Sequence, residues 1–396
     1  MKHKGEISEL ESTIKKPNRA NLNTVDSNAI ESKSTHIYEY WLDRIEDLTA
    51  NKKRLLVSHL EKAAQVYRME GKQLQEMSFL SEKDCVNIRN AQQTSEKKLS
   101  EEFEKMLQKQ IQMIPWGTHL YPEKLYTIPN PPYALYVKGN LPNPKRKTVA
   151  IVGARKCTSY GEHYALAFGK WLAECGVQII SGLALGIDGC GQRGAILGGG
   201  VSFGVLGCGV DICYPREHIE LYTDTLQKGG GILSEYPPST PPIAYHFPHR
   251  NRIISGLSDV ILVMEAKMKS GSLITADTAL EQGRDVYALP GSLANPLSQG
   301  CNWLISQGAG ILLSPEKLVE DLGVSIRQYD ENSDKSKKKL ESFEQIVYSR
   351  LCFYPKRVDD LIVETGLRAE QIMEQLISLE LQGLICEISK NNYTRK

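Results

Sequence analysis

Phosphate recognition needs backbone N–H groups that converge on one point, hydroxyls at a helix start, and fixed cations. This sequence concentrates all three in a few short segments. Gly153-Ala154-Arg155-Lys156, Ser181-Gly182-Leu183-Ala184-Leu185-Gly186-Ile187-Asp188 and Gly207-Cys208-Gly209 each follow a short apolar run. Successive N–H groups at a glycine turn that opens a helix form an anion site, and Arg155 beside the first turn adds a planar fork that matches phosphate oxygens. Gly182 taken singly is explained by turn geometry; the neighbouring arginine is what favours a ligand at the first loop. A second cluster, Tyr245-His246-Phe247-Pro248-His249-Arg250-Asn251-Arg252, interleaves aromatic rings with guanidinium groups. That combination stacks on unpaired bases and holds their phosphates. Within it Phe247 reads mostly as core, Arg252 could equally pair with a carboxylate, and Arg250 and Asn251 read as binding residues with His249 between the two aromatic-basic halves. A third segment, Lys267-Met268-Lys269-Ser270-Gly271-Ser272, precedes the apolar Leu273-Ile274. One serine is accounted for as a helix cap, and the two lysines upstream favour an anion at that helix start. The phosphate so bound belongs either to a free nucleotide or to a nucleic-acid backbone.

Catalytic groups are poorly supplied. No Gly-x-x-x-x-Gly-Lys-Ser/Thr occurs, and Gly207-Cys208-Gly209-Val210-Asp211 lacks the third glycine of a dinucleotide fingerprint. No Gly-x-Ser-x-Gly elbow is present. Asp188 reads as a cap of the helix that follows it, and Cys157, Cys190 and Cys208 read as small apolar fillers. The nine cysteines form no Cys-x-x-Cys pair and have no histidine at metal-ligand spacing, so they read as reduced cytosolic thiols. No cofactor or metal is called for, and the chain is expected to bind rather than catalyse. Its 48 Lys plus Arg and 47 Asp plus Glu leave a formal charge of +1, which excludes a histone-like arm and confines any nucleic-acid partner to a local basic patch. No eighteen-residue apolar run exists and the start is polar, so a cytoplasmic protein with no membrane span and no signal peptide is expected.

These segments need a scaffold that brings strand ends together. Of the 32 glycines, 26 lie between Thr148 and Gly323. Within that region apolar runs such as Thr148–Val152, Val177–Ser181, Val201–Leu206, Gly231–Ser234, Val260–Val263, Asp285–Ala288 and Gly310–Leu313 alternate with helical periodicity. The pattern predicts an α/β fold: a Rossmann-like, doubly wound, mostly parallel sheet over 148–325. The flanks read as a disordered leader (1–35), a helical, SAM-like domain (36–114), an extended proline-rich segment packed on the core (115–147), a polar linker (326–340) and a winged-helix domain (341–396) with three short helices and a hairpin.

In combination the ordered segments resemble the DprA/Smf family. Carrying the resemblance are Tyr121-Pro122, Tyr136-Val137-Lys138-Gly139, Ile151-Val152-Gly153-Ala154-Arg155, Ser181-Gly182-Leu183-Ala184 with Gly186-Ile187-Asp188, Tyr214-Pro215, Ser234-Glu235-Tyr236-Pro237, Phe247-Pro248 with Arg250–Gly256, Ser270–Ala276, Gly283–Val286 and Pro290-Gly291. The resemblance implies a protein that binds and protects incoming single-stranded DNA and loads the RecA recombinase onto it during natural transformation, the uptake of DNA by competent cells. It also implies a homodimer formed through the Rossmann-like domain. By that likeness Arg155, Arg250, Asn251 and Arg252 fall at the DNA pocket, with Gly153, Gly182, Gly186, Ser270, Gly271 and Ser272 cradling the backbone. Lys156, Arg216, His249, Lys267 and Lys269 add to the same interface. Two departures stand out: many relatives carry Ala-His after the Gly-Ile-Asp segment, where this chain has Gly189-Cys190, and Leu185 occupies a place that is often basic. The rival reading, a nucleotide-binding or nucleotide-hydrolysing enzyme of the same fold, requires a catalytic carboxylate near Gly271 or Gly291, for which Glu265 is the nearest candidate. A transcriptional regulator would rest on the winged helix alone.

Overall fold

A computed structural model describes residues 29–324, 342–351 and 355–395. Most of the expected leader and all of the expected linker lie outside the described residues.

The molecule is organised around a strand with no exposed residue. β3 (Thr148–Val152) is buried along its whole length, as an unbroken apolar run dictates in a sheet covered on both faces. Side chains alternate: Val149 and Ile151 join one apolar cluster with Phe168 and Ile187, while Ala150 and Val152 join another with Ile254 and Leu273. The covering helices on the first face are α7 (Ser159–Glu174) and α8 (Ile187–Leu197), and on the second α10 (His246–Leu257) and α11 (Gly271–Glu281). Glycines in α8 let it lie against the sheet: a Cβ at Gly191 would sit 2.8 Å from the Ile151 Cγ2.

The nine strands run in the order β1-β2-β6-β5-β4-β3-β7-β8-β9. β4 (Gln178–Ser181), β5 (Ser202–Leu206) and β6 (Gly231–Ser234) extend from one side of β3; β7 (Val260–Val263), β8 (Asp285–Ala288) and β9 (Gly310–Ile311) extend from the other, and all seven are parallel. The chain therefore reverses direction across the sheet at β3, and a crevice opens between β3 and β7 at their carboxyl ends. Of the described helices, none is long and apolar enough to cross a membrane.

The structure corrects the sequence reading at the sheet edge. The segment read as a helix tail followed by an irregular proline-rich stretch contains β1 (Ile111–Pro115) and β2 (Ala134–Gly139). These pair with each other and add antiparallel to β6. Pro115 closes the outermost strand, where a missing N–H costs no ladder bond. The N-terminal helices pack directly against this edge, so that Trp41, Leu56 and Leu74 share one core with Tyr133 and Tyr136. The Tyr136 hydroxyl donates to Asp43 at 2.6 Å, and Tyr133 donates to Glu39. The first helix, α1 (Ala29–Asp43), begins inside the segment expected to be disordered.

The C-terminal unit has its own core of Val347, Leu361, Ile372, Leu376 and Ile385. Helices α14 (Ser342–Arg350), α15 (Val358–Thr365) and α16 (Ala369–Leu381) accompany a sheet ordered β10-β12-β11, formed by Lys356–Arg357, Asn392–Arg395 and Ile385–Ser389. Gly366 ends α15 at φ 69°, the left-handed conformation that turns the chain into α16. This is a winged helix; β10 is the element that the sequence reading missed.

Candidate nucleic-acid interface

Three elements supply most of the crevice lining. The exit of β3 contributes Gly153, Ala154 and Arg155; one face of α10 contributes Phe247, Arg250, Asn251 and Ile254; the start of α11 contributes Ser270, Gly271, Ser272 and Thr275. The α10 residues fall at i, i+3, i+4 and i+7, so a single helical face supplies them. The crevice encloses about 570 Å³. A further groove of about 470 Å³, lined by Lys156, Lys267 and Lys269, shares Ala154, Arg155 and Ser270 with it, so the two form one track. Among the residues lining this track Asp188 is the one carboxylate.

Arg250 is part of the wall's framework. It is 4% exposed, and its Nη1 donates to the main-chain oxygens of Gly182, at 3.0 Å, and Val205. Burial pulls its guanidinium down to about 10, and the like charge of Arg155 adds to this against the attraction of Asp188. A guanidinium with that value remains charged at neutral pH. Burial pushes the Asp188 carboxyl up, opposed by Arg250 and by hydrogen bonds that include one from the Gly182 N–H at 3.0 Å. Asp188 thus ties α8 to the loop leaving β4. It does not cap its own helix as the sequence reading has it; that position is Gly186, with no side-chain bond.

The loop from Gly182 to Gly186 is held at both main-chain polar atoms of Gly182 and of Leu183. The Leu183 N–H donates to the buried Gln192 at 3.1 Å, and the Leu183 oxygen accepts from His218 Nδ1 at 3.0 Å. These bonds hold Leu183 at φ 54°, a left-handed conformation that costs a branched residue on the order of 1–2 kcal/mol. Glycine is required at 182, because a Cβ there would lie 2.6 Å from Arg250 Nη2 and 2.7 Å from Asp188 Oδ2.

Arg155 is exposed, in contrast to Arg250. Its guanidinium lies 5.6 Å from the centre of the Phe247 ring, and Tyr214 stacks on the same ring at 5.4 Å with planes 30° apart. Tyr214 is 40% exposed, so the pair presents an aromatic surface to the crevice beside a cation. Phe247, read from sequence mostly as core, is half-buried and lines the crevice. Tyr214 was missed as a binding residue; the signal available was an aromatic ring in a glycine- and proline-rich strand-end segment. At the opposite wall, Ser270 caps α11, accepting from the Ser272 N–H at 3.3 Å and bonding the Ser272 hydroxyl at 2.7 Å. The positive end of an eleven-residue helix therefore faces the track.

Gly153, Arg155, Lys156, Arg250, Asn251, Lys267, Lys269, Ser270, Gly271 and Ser272 line the track. Gly182 and Gly186 lie behind its wall and shape it. Arg216, His249 and Arg252 do not line it. Arg216 is exposed on a 3-10 turn. Arg252 is 7% exposed and bidentate on Glu235, at 3.2 and 2.5 Å, while His249 reaches the same carboxylate at 2.9 Å. Residues 250 and 252 are about 200° apart around an α-helix, so only one of them can face the crevice. Glu265, the carboxylate that a hydrolytic reading needs, is 1% exposed and accepts from the Thr158 N–H at 2.8 Å and hydroxyl at 2.6 Å. It anchors the start of α7. Among the described residues no cluster of histidine, cysteine, aspartate and glutamate could hold a metal ion.

Comparison with known proteins gives the same framework a family. Residues 112–323 match the family model of DNA recombination-mediator protein A, and residues 331–389 match that of the DprA winged helix domain. Protein Smf of Escherichia coli K12 is 41% identical over 282 residues, covering 70% of this chain and 75% of that protein. The DNA processing protein DprA of Bacillus subtilis 168 is 44% identical over 222 residues, 56% of this chain and 74% of the relative. The X-ray structure of DNA processing protein A from Streptococcus pneumoniae superposes with a TM-score of 0.62 at 34% identity, covering 72% of this chain and 97% of that one.

Proposed function

Because the chain belongs to the DNA recombination-mediator protein A family, the DprA/Smf proteins, we propose that its crevice binds single-stranded DNA without cleaving it. The observation that carries the reading is the meeting, in one open track, of Arg155, Lys156, Lys267 and Lys269 with the Tyr214–Phe247 stack and the start of α11. Cations hold phosphates, the helix start adds converging N–H groups, and an exposed ring offers a face to any base. A duplex hides those base faces, which favours an unpaired strand. The one carboxylate in the track is buried against Arg250 and a main-chain N–H, which supports holding the strand over hydrolysing it.

The protein protects incoming DNA during natural transformation and delivers it to the RecA recombinase in the cytoplasm. A grip built from phosphate contacts is weakened by salt and by competing polyanions, which suits delivery to a second protein. It acts as a homodimer through the Rossmann-like domain. Exposed Ile311 in the short edge strand β9, and Leu313 just after it, provide apolar surface for a second copy. The test is a titration of fluorescent oligonucleotide with wild type and Arg155→Ala at fixed salt, followed by RecA-filament assembly on the bound strand. Unchanged affinity in the variant rejects the crevice; binding without faster filament assembly rejects the delivery role.

A further inference from the structure

The rim that carries the track is divided along its length. The strand order sets the trailing loops side by side as β6-β5-β4-β3-β7-β8, and at about 4.8 Å per strand that rim spans about 24 Å. The loops after β6, β5 and β4 contribute Pro242, Ala244, Tyr214 and Ala184 to the lining, none of them charged. The loops after β3 and β7 contribute Arg155, Lys156, Lys267 and Lys269, and all four are exposed. Exposed groups of the opposite kind, Arg216 beside the uncharged half and Met268 and Leu293 beside the cationic half, do not line the track.

The two halves meet at Phe247, which carries the Tyr214 ring at 5.4 Å and the Arg155 guanidinium at 5.6 Å. Beyond Tyr214 the uncharged half continues into exposed apolar surface. Tyr245, next to Ala244, is 69% exposed, and Ile243 and Leu185 are exposed beside it and beside Ala184. The Tyr245 ring centre lies 4.5 Å from that of His246, with planes 74° apart. His246 is buried; it stacks on Tyr236 at 3.8 Å and bonds the Gly207 main-chain oxygen through Nδ1 at 3.1 Å. A ring held by a fixed neighbour yet open to solvent loses little freedom when a base packs on it.

We propose that a bound strand is gripped unequally along its length. Nucleotides over the loops after β5 and β6 are held by their bases, with Tyr245 as a second stacking platform after Tyr214. Nucleotides over the loops after β3 and β7 are held by their phosphates. An uncharged rim gives a phosphate no partner, and a lysine offers no face to a base. The proposal rests on the strand-binding reading of the crevice and adds to it an orientation, because the two ends of the ligand are no longer equivalent.

The test uses full-length protein and short oligonucleotides modified in either the 5′ or the 3′ half, with abasic sites or with uncharged methylphosphonates. Abasic sites should weaken binding about tenfold in one half and little in the other. Methylphosphonates should show the converse, flattening the slope of log K against log salt by about 0.7 for each contact removed. Tyr245→Ala should weaken the unmodified strand about tenfold and leave unchanged the affinity of the strand whose base-held half is abasic. Equal sensitivity of both halves overturns the division, and Tyr245→Ala that binds like wild type overturns the second platform. Either result leaves strand binding itself intact; that reading fails, and this proposal with it, if wild type does not bind the unmodified strand.

Discussion

The guanidinium of Arg250 donates to the main-chain oxygen of Gly182 at 3.0 Å, joining the helix that lines the crevice to the loop that leaves β4. A residue that sequence alone marks as a phosphate ligand is therefore part of the frame on which the phosphate ligands stand. Arg155, exposed and in none of the ion pairs of the described residues, is one of the cations free to meet a strand.

Arg250→Ala should unfold the crevice rather than simply weaken it. Removing the buried guanidinium leaves Asp188 without its nearby countercharge and two main-chain oxygens without their donor, a loss of about 3–5 kcal/mol. Thermal or urea denaturation measures this, and a fall of less than about 1 kcal/mol contradicts a framework role.

Arg155→Ala should leave stability within about 0.5 kcal/mol of wild type, as expected for an exposed side chain. Affinity for single strands should fall about tenfold. The slope of log K against log salt should flatten by about 0.7 for the lost phosphate contact. Fluorescence anisotropy at three salt concentrations reads both.

Tyr214→Ala removes the outer ring of the stack on Phe247. Loss of one base–aromatic contact should cost about 1–3 kcal/mol of binding, and Tyr214→Phe should retain most of it. An abasic oligonucleotide should bind wild type and Tyr214→Ala alike; a difference there indicates that Tyr214 acts on the backbone.

Acid should weaken the fold through Glu235. Burial pushes its carboxyl up, but the charge of Arg252, with His249, outweighs that and holds it below the ordinary 4.5. A carboxylate with a depressed folded value stabilises fully above its unfolded value, and that stability is lost as pH falls through the folded one. The stability gap between wild type and Glu235→Gln should be flat above about pH 5 and shrink below 4.5. A gap that grows on acidification contradicts the pairing.

The central sheet was legible because a strand buried on both faces is an unbroken apolar run, as Thr148–Val152 is. The positions of Arg155 and Ser270 followed, since parallel strands put their trailing loops on one rim. β1 and β2 were not legible: their pairing joins Ile111 to Lys138 across the prolines that made the region look irregular. The roles of Arg250 and Arg252 were hidden for a different reason. Each finds its partners in distant segments, Gly182 and Val205 for one and Glu235 for the other, which no local pattern reveals. Tyr214, in an irregular loop, gains its place at the crevice by stacking on Phe247, which comes from a helix distant in sequence.

The most direct test of the interface is a competition titration in which a labelled single strand, held by wild type at fixed salt, is displaced by unlabelled single strand or by duplex of the same length. Displacement by single strand at much lower concentration than by duplex, with Arg155→Ala and Tyr214→Ala both releasing the label more readily, is the expected result. Equal displacement by duplex, or variants that hold the strand as tightly as wild type, contradicts the account.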